Sequence, residues 1–451
     1  MSLTLSLSQL AKIVGIEAGF ADITVSGAVI DTRKIMPGNL FVALKGERVD
    51  GHDFLAQARE AGASAALVSE TRDDPLPQLQ VEDVRKAFAA IARAWLQRSR
   101  AKVVAITGSN GKTSVKEMIS AILRQAGPVL ATEGNLNNDL GVPLTLCRLD
   151  AEDKFAVIEM GTNHPGEIAE LVKIAAPDVA LINNIAPAHL EGFGSEAGVA
   201  EEKGAIYQGL MASGIAVVNV EMPYQDIWAP MIAERKTMSF ALEKEADVKA
   251  DYIQPEASGS HFMVNIEGVN HHFSLPLPGL HNVNNALAAI AVCRALDIPV
   301  DAMVRGLASI KAVPHRLQLR AGINASKLID DTYNANPGSY QQALMTLAGF
   351  SGEHWLVLGD FGELGADSDN IHTEMGKQAS ASGVSRLFTV GDSSRMAAQK
   401  FGCGAQHFED IDSLQQHLQQ ALNQKVVCLI KGSRFMQLDK LADQLAQEGE
   451  S

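Results

Sequence analysis

The sequence has few of the features that mark disulfide-rich or zinc-binding proteins. Its four cysteines, Cys147, Cys293, Cys403 and Cys428, lie far apart, and none belongs to a C-x-x-C pair. This spacing argues against a disulfide framework and against a structural zinc site. We therefore expect each cysteine to pack as a small hydrophobic side chain.

Long apolar runs and long basic runs are also missing. No segment approaches the ~20 apolar residues that cross a bilayer, and the start, MSLTLSLSQLAKIVG, has neither the basic segment nor the apolar core of a secretory signal. The net charge is −15, with no run of five basic residues, which argues against a nucleic-acid partner bound through phosphates. We expect a cytoplasmic protein without a membrane span, which holds any anionic ligand through loops and individual basic residues.

The length and the order of the patterns predict several α/β domains. At 451 residues, 46% of them hydrophobic, the chain is globular and too long for one ordinary core. Strand and helix patterns alternate along it, with a β-rich stretch between about residues 237 and 277, and such alternation predicts parallel sheets with right-handed crossovers. We place domains at residues 1–82, 83–313 and 314–451.

A glycine loop follows the first strand of the central domain. Residues 105–114 read AITGSNGKTS, preceded by the strand-like KVVAI and followed by the helix-like SVKEMISAILRQA. Gly108 and Gly111 would let the backbone approach phosphate oxygens at a helix N-terminus. Lys112 would then reach the β- and γ-phosphates, and the Thr113 hydroxyl would ligate Mg²⁺.

The match to the usual phosphate loop is incomplete. Ile106 stands where G-x-x-x-x-G-K-[ST] has its first glycine, so the segment matches a shorter variant in which Ser109 and Asn110 separate the two glycines. The alternative is a plain strand-to-helix turn with an exposed lysine.

Further polar clusters follow other strands. They read EGNLNND, EMGTNH, NNIAPAHLEGFGS, DDTYNANPGS and GDFGELG. Because ligands of open parallel sheets bind beyond the carboxyl ends of the strands, these clusters predict one cleft between domains.

Two of these clusters contain candidate metal ligands. Glu159 ends a buried strand, where a carboxylate is costly unless a cation or hydrogen bonds compensate. His189 follows another strand of the same sheet, and on its own it is typical of a capped loop histidine. Together with Thr113, however, the two side chains form a partial shell for Mg²⁺ or Mn²⁺.

Other polar residues have ordinary interpretations. Lys203 has the setting of a solvated helix lysine, and Asn282 that of a helix N-cap. Asp330 and Asp331 begin a segment that is typical of an Asx-rich turn. Arg316 stands at a domain boundary, from which an arginine can close on phosphate.

Nine segments in one order make the chain resemble the Mur ligases. They are TGSNGKT, GNLNNDLGVP, EMGTNHPGEI, NNIAPAHLEGFGS, EEKGAIY, LPGLHNVNNALAA, PHRL, DDTYNANPGS and KGSR. The resemblance spans practically all of the chain. It implies an N-terminal domain for a UDP-linked substrate, a central ATP-binding domain with a P-loop-type, mostly parallel sheet, and a Rossmann-like C-terminal domain that closes on ATP and the incoming dipeptide.

The resemblance also implies an activity. DDTYNANPGS resembles the segment of the family member that adds D-alanyl-D-alanine to UDP-N-acetylmuramoyl-tripeptide, through an acyl phosphate, for peptidoglycan synthesis. ATP and two Mg²⁺ ions would be required, and we expect a monomer. The alternatives are a sister ligase or folylpolyglutamate-type synthetase that adds a single amino acid, a nucleotide-gated binding module, and a non-catalytic relative.

The resemblance assigns roles to single residues. Thr113 and Glu159 look like ligands of one magnesium ion, His189 looks like a ligand of the second, and Lys203 matches a lysine that is carbamylated in this family. His315 stands where relatives often have glycine, so the loop before Arg316 is harder to predict. The other implied contacts are to adenine (Asn282), phosphate and ribose (Arg316, Asp331), the muramoyl peptide (Asn135, Asn137, Asn138), the dipeptide (Asn334, Asn336) and uridine diphosphate (Thr32, Arg33, Lys45).

Overall fold

The computed structural model describes residues 4–17, 19, 23–186, 190–256 and 258–447. These residues form four β-sheets, one of two strands and three larger ones. Among the described helices, none has both the length and the apolarity that a bilayer crossing demands. Three of the cysteines are buried as predicted, whereas the prediction is wrong for Cys403, which is exposed.

The first unit is small and mostly parallel. A capping box at Ser6 starts its first helix, since the Ser6 side chain accepts from the Gln9 backbone and the Gln9 side chain accepts from the Ser6 backbone. Four strands form a parallel sheet in the order β3-β4-β5-β6, and β1 pairs antiparallel with β2. The elements are β1 (Leu5–Ser6), α1 (Leu7–Ile13), β2 (Thr24–Val25), β3 (Ala28–Val29), β4 (Leu40–Val42), α2 (Leu55–Glu60), β5 (Ala65–Val68) and β6 (Gln78–Gln80).

The second unit is built on the largest sheet. Its elements are α3 (Val84–Leu96), β7 (Lys102–Thr107), α4 (Lys112–Arg124), β8 (Val129–Ala131), α5 (Gly141–Leu146), β9 (Phe155–Glu159), α6 (Glu167–Ala175), β10 (Val179–Ile182), α7 (Leu190–Phe193), α8 (Glu196–Gln208), β11 (Ile215–Asn219), α9 (Gln225–Ile232), β12 (Lys236–Ala241), β13 (Val248–Glu256), β14 (Gly259–Ile266), β15 (Val269–Leu275), α10 (Leu280–Ala295) and α11 (Val300–Ala308). The strand order is β15-β14-β13-β12-β11-β10-β7-β9-β8.

This sheet is parallel from β8 to β13 and antiparallel from β13 to β15. The predicted β-rich stretch is thus an antiparallel extension of the sheet edge. The central strands β7, β9 and β10 are buried, as expected for strands covered by helices on both faces. Their carboxyl ends therefore meet at one edge, where the polar clusters follow.

The third unit carries a six-stranded sheet. Its order is β16-β17-β21-β18-β19-β20, with only the β16–β17 pair antiparallel. The elements are β16 (Gln318–Ala321), β17 (Lys327–Asp331), α12 (Pro337–Ala348), β18 (Glu353–Gly359), α13 (Ser368–Ala381), β19 (Arg386–Val390), α14 (Ser394–Phe401), β20 (Ala405–Phe408), α15 (Ile411–Ala421), β21 (Val426–Lys431) and α16 (Leu438–Leu445).

Helix α3 joins the first two units. Its buried residues, such as Phe88 and Trp95, belong to one apolar cluster with side chains of both the first sheet and the central sheet. The predicted boundary after residue 82 therefore separates two sheets that share part of their core.

Candidate active site

The glycine loop connects β7 to α4 in a geometry that requires glycine. Gly111 caps α4 with φ +73°, in the left-handed region. A Cβ atom at Gly111 would lie 2.9 Å from both Asn183 Nδ2 and Asn285 Oδ1. The backbone therefore occupies space that a side chain would fill, which is the close approach expected of a phosphate cradle.

Asparagine side chains hold the loop in place. Asn184 Oδ1 accepts from the Asn110 N–H at 2.8 Å, and Asn184 Nδ2 donates to the Asn110 carbonyl at 2.9 Å. Asn183 Nδ2 donates to the same carbonyl at 3.0 Å and to Asn285 Oδ1 at 2.9 Å. The Ser109 hydroxyl donates to the Ala186 carbonyl at 3.1 Å. The loop is thus held by hydrogen bonds from the strand end after β10.

Lys112 bonds back to its own loop. Its side chain is half-buried, and Nζ donates to the Gly108 carbonyl at 2.7 Å. Desolvation lowers the pKa of Lys112, the Glu159 carboxylate opposes that shift, and the Arg316 guanidinium adds to it. Lys112 is therefore not the exposed lysine of the plain-turn alternative.

Glu159 has one oxygen without a partner. The residue is 2% exposed at the end of β9, and Oε1 accepts from Asn137 Nδ2 at 2.9 Å. Oε2 is buried with no hydrogen-bond partner among the described residues. Thr113 is also buried, in the first turn of α4. An orphaned carboxylate oxygen and a hydroxyl are the kinds of oxygen donor that suit Mg²⁺.

The third predicted metal ligand, His189, lies outside the described residues. Its neighbours on the two sides of the gap belong to the end of the loop after β10 and to the start of α7. The role of His189 thus stays a prediction.

Lys203 is a buried lysine on α8, so the interpretation as a solvated helix lysine is wrong. It is 1% exposed. Desolvation lowers its pKa well below the ordinary value, Lys112 adds to the shift, and the Glu202 carboxylate opposes it. In the described part of the chain, Nζ has neither a hydrogen bond nor an ion pair. Burial without a partner therefore favours the neutral amine over the ammonium form of Lys203.

The start of α10 also differs from the prediction. Gly279 is the N-cap, and Asn282 lies inside the first turn, where Nδ2 donates to the Pro278 carbonyl at 2.8 Å. The N-cap interpretation of Asn282 is wrong. Next to it, desolvation lowers the pKa of His281 to about 4, although the Asp331 carboxylate opposes this.

Arg316 reaches from the third unit to the loop. Nη2 donates to Thr113 Oγ1 at 3.1 Å, and the guanidinium carbon lies 4.2 Å from the centre of the Tyr333 ring. Its Nε is buried with no hydrogen-bond partner within the described residues. Arg316 therefore brings a positive charge to the glycine loop, and among those residues its Nε–H is still free to donate a hydrogen bond.

The segment around Arg316 is fixed to β17. His315 has φ +62° and Leu317 has φ +48°, a conformation that explains why glycine suits position 315. His315 Nδ1 lies 2.9 Å from Asp330 Oδ2, and the Tyr333 N–H donates to the His315 carbonyl at 3.0 Å. These bonds compensate the left-handed backbone.

Asp331 and its neighbours do not form a simple Asx turn. Asp331 Oδ2 accepts from the buried Lys431 Nζ at 2.5 Å, and Oδ1 accepts from the distant Leu317 N–H at 3.2 Å. Asp330 accepts from Arg320 at 2.9 Å and from the nearby Thr332 hydroxyl at 2.7 Å. The interpretation of these aspartates as an Asx-rich turn is wrong, because most of their partners are distant in sequence.

The predicted substrate asparagines mainly organise their own loops. Asn137 orients Glu159 as described, Asn138 Oδ1 accepts from the Gly141 N–H at 2.8 Å, and Asn135 accepts through its carbonyl from the Asn137 N–H. Asn334 Oδ1 accepts from the following N–H.

Asn336 has two roles in the structure. Its Oδ1 caps α12 by accepting from the Ser339 N–H at 2.8 Å. Its Nδ2 donates to Asn110 Oδ1 of the glycine loop at 2.7 Å.

The predicted uridine-diphosphate residues are not brought together. Thr32 and Arg33 form a 3₁₀ turn, in which the Arg33 side chain is 83% exposed and pairs with Asp31 at 2.8 Å. Lys45 instead lines a cavity of about 480 Å³ between the first unit and the start of α3. Arg85 and Lys86 line the same cavity together with Glu82 and Asp83, and both basic side chains are in ion pairs, Lys86 with Asp83 at 3.2 Å and Arg85 with Asp139.

The sequence interpretation missed Asn183, Asn184 and Asn285, which hold the glycine loop. The signal was present, since two asparagines directly follow the apolar strand DVALI and another lies in NVNNALAA. Asparagine side chains at a strand end and on a buried helix face need partners.

Comparison with known proteins matches the chain along almost its whole length. Three family models match: "Mur ligase family, catalytic domain" at residues 24–96, "Mur ligase middle domain" at 106–293, and "Mur ligase, glutamate ligase domain" at 315–434. The UDP-N-acetylmuramoyl-tripeptide–D-alanyl-D-alanine ligase of Escherichia coli K12 is 46% identical over 451 residues, which cover 99% of each chain.

Solved structures agree. A crystal structure of MurF from Acinetobacter baumannii superposes with a TM-score of 0.91 at 34% identity, covering 98% of this chain and 99% of the other. MurF ligase from Thermotoga maritima, solved in complex with ADP, gives a TM-score of 0.82 at 28% identity and covers 93% and 96% of the two chains.

Proposed function

The chain belongs to the Mur ligase family, and from that premise we propose that it joins D-alanyl-D-alanine to UDP-N-acetylmuramoyl-tripeptide with ATP, for peptidoglycan synthesis. The observation that carries the proposal is the convergence of three features at one cleft. They are the glycine loop, the orphaned Glu159 oxygen, and Arg316 from the third unit.

The nucleotide is assigned to the cleft between the second and third units. The loop from Gly108 through Ser109 and Asn110 to Gly111 presents backbone N–H groups at the start of α4, where the helix dipole favours phosphate. Lys112 and Arg316 supply positive charge to the terminal phosphates. Asn282 is proposed for adenine and Asp331 for ribose.

Magnesium fits the residues around the loop. The unpaired Glu159 Oε2 and the Thr113 hydroxyl are hard oxygen donors of the kind this ion prefers. When bound, Mg²⁺ neutralises charge on the β- and γ-phosphates. A second ion with His189 as a ligand remains a proposal that rests on the family resemblance.

Carbamylation of Lys203 is supported by its setting. The amine is buried, and desolvation lowers its pKa well below the ordinary value, which favours the neutral form. A neutral amine nitrogen can attack the carbon of CO₂ and lose a proton, which leaves an anionic carbamate. NMR of protein equilibrated with ¹³C-bicarbonate tests this, and the carbamate signal must disappear in Lys203→Met.

The substrates are assigned by unit. We propose residues 1–82 for the UDP moiety, 83–313 for ATP and 314–451 for closure on ATP and dipeptide. The cavity beside Lys45 supports the first assignment, because a lysine of the first unit lines a space of about 480 Å³. The further proposed contacts are Thr32 and Arg33 to the UDP moiety, Asn135, Asn137 and Asn138 to the muramoyl peptide, and Asn334 and Asn336 to the side of the incoming dipeptide.

The chemistry asks mainly for positioning and charge neutralisation. The tripeptide carboxylate attacks the γ-phosphorus, the bond to ADP breaks, and an acyl phosphate forms. The dipeptide amine then attacks the acyl carbon, loses a proton, and phosphate leaves. Lys112, the loop amides and Arg316 stabilise the negative charge that shifts in the first step.

Product analysis tests the function. Purified protein with ATP, Mg²⁺ and UDP-N-acetylmuramoyl-tripeptide should release phosphate and yield the pentapeptide product by mass spectrometry only with D-alanyl-D-alanine. Amide formation with a single amino acid instead would assign a sister reaction, and ATP hydrolysis without any amide would assign a switch. ATP as co-substrate agrees with the predicted cytoplasmic location, and the monomeric state remains a prediction.

A further inference from the structure

One side-chain pair connects the third unit directly to the glycine loop. Asn336 Nδ2 donates to Asn110 Oδ1 at 2.7 Å, and both side chains are half-buried. We propose that this pair is a clasp between units, and that Asn336 is a positioning residue that aligns the incoming dipeptide amine with the acyl phosphate. The inference rests on the proposed ligase function.

The helix cap fixes the orientation of the Asn336 amide. Oδ1 accepts from the Ser339 N–H at 2.8 Å, and the Asn336 N–H donates back to Ser339 Oγ at 3.1 Å. Since the oxygen of the amide is committed to the helix, its NH₂ group must face away from α12. The helix cap therefore already holds the Asn336 NH₂ group toward the loop, and bonding to Asn110 requires no further loss of side-chain entropy.

The other half of the clasp is equally constrained. The Asn110 backbone is bonded through both its N–H and its carbonyl to Asn184, with Asn183 as a further donor. Only the Asn110 side chain is available to reach the third unit. A shift of that unit must consequently stretch or break the Asn110–Asn336 bond.

The start of α12 is built for close approach. A Cβ atom at Gly338 would lie 3.2 Å from the Ala186 Cβ and 3.3 Å from Asn110 Nδ2. A larger residue at 338 would push the helix away from the loop. The clasp and the glycine together seat the first turn of α12 against the loop.

The position of the clasp suggests its effect on the reaction. It lies between the loop proposed for the phosphates and the segment proposed for the dipeptide. Without it, the third unit can shift and displace the amine, so that water attacks the acyl carbon instead. The carbon–oxygen bond to phosphate then breaks, phosphate leaves, and the tripeptide carboxylate is regenerated, which wastes one ATP.

A double-mutant cycle tests the clasp. Asn336→Ser keeps an N-cap oxygen but removes the amide NH₂ group that reaches Asn110, and Asn110→Ala keeps all backbone bonds. We expect each single variant to lower kcat/KM for D-alanyl-D-alanine about 3- to 10-fold, the loss of one net hydrogen bond, and to raise the phosphate released per pentapeptide above one. The double variant should have a kcat/KM no lower than that of the more impaired single variant. Losses in kcat/KM that multiply in the double variant, or an unchanged ratio of phosphate to pentapeptide, would overturn the clasp.

The chain offers a control of the same chemistry. Asn265 Nδ2 donates to Asn270 Oδ1, also at 2.7 Å, in the β14–β15 hairpin at the far edge of the central sheet. Asn270→Ser should leave kcat/KM and the phosphate ratio unchanged. Thermal unfolding of Asn336→Ser should match the unsubstituted protein, because the cap is kept.

A second measurement separates failure of the clasp from failure of the proposed function. If the unsubstituted protein forms no pentapeptide, the function is refuted while the clasp is still testable. Small-angle scattering with ADP should give a larger radius of gyration for Asn336→Ser than for the unsubstituted protein. An equal radius would refute the clasp whatever the reaction.

Discussion

Replacement of Lys112 by methionine removes one positive charge and keeps most of the side-chain volume. Nζ now lies 2.7 Å from the Gly108 carbonyl, inside the loop proposed for phosphate. A unit charge about 4 Å from a phosphoryl oxygen contributes about 4 kcal/mol at an effective dielectric constant of ~20. Since ~1.4 kcal/mol is tenfold in rate, we expect kcat/KM to fall roughly 10³-fold.

The assay is phosphate release with UDP-N-acetylmuramoyl-tripeptide, D-alanyl-D-alanine and saturating Mg²⁺. Lys377→Met is the matched control, because Lys377 pairs with Glu374 at 2.7 Å on the exposed face of α13. Circular dichroism should show that both variants are folded. If Lys112→Met retained turnover within about tenfold of the unsubstituted protein, the loop would not be the phosphate site.

Three further predictions concern groups in or near the cleft. Lys203→Met should abolish ligase activity yet raise the melting temperature in CO₂-free buffer at neutral pH. The melting temperature should rise because the folded state lowers the pKa of Lys203, so that the unfolded chain binds the extra proton. A lower melting temperature would contradict this. Gly111→Ala should lose far more nucleotide affinity by calorimetry than Gly166→Ala. Both glycines cap helices at positive φ, but at Gly166 a Cβ atom would meet nothing within 4 Å. Equal losses would disprove the role of close approach. The pKa of His281 is about 4 in the folded protein, so the unfolded chain binds more protons between pH 4 and 6.5, and the free energy of unfolding falls as pH is lowered through that range. Urea unfolding of His281→Gln should show a smaller loss of that free energy between pH 7 and pH 5. An identical loss would refute the assignment.

The fold class and the glycine loop were predictable because their signals are local. Apolar runs of strand length alternate with helical periodicity, and parallel topology follows from that order. The loop combines glycines with Lys112 and Thr113 within a few residues. Such motifs need no knowledge of distant contacts.

The settings of Lys203 and Asp331 were not predictable from local pattern. The helix α8 around Lys203 has polar residues on several faces, and only its packing against other elements shows that the amine is buried. Asp331 pairs with Lys431, one hundred residues away. Contacts of this kind depend on tertiary structure, which overrides the usual preference of charged residues for the surface.

The N-cap of α10 was misjudged for a different reason. Asparagine is a favoured N-cap, and Asn282 follows a proline-rich loop. The helix nevertheless begins earlier, at Leu280 after Gly279, and the asparagine side chain donates to the Pro278 carbonyl instead of accepting as a cap. Helix ends are the least certain part of such predictions.

The bracing around His315 determines what moves when the cleft opens. The Arg316 N–H donates to the Val313 carbonyl, and the bonds from His315 tie the segment to β17. Among the described residues, the backbones of Lys311 and Ala312 make no hydrogen bond, so we expect any rotation of the third unit to occur there. If the third unit opens and closes as proposed, we expect Arg316 to move with it, so that opening withdraws a positive charge from the proposed phosphate site as the product nucleotide leaves.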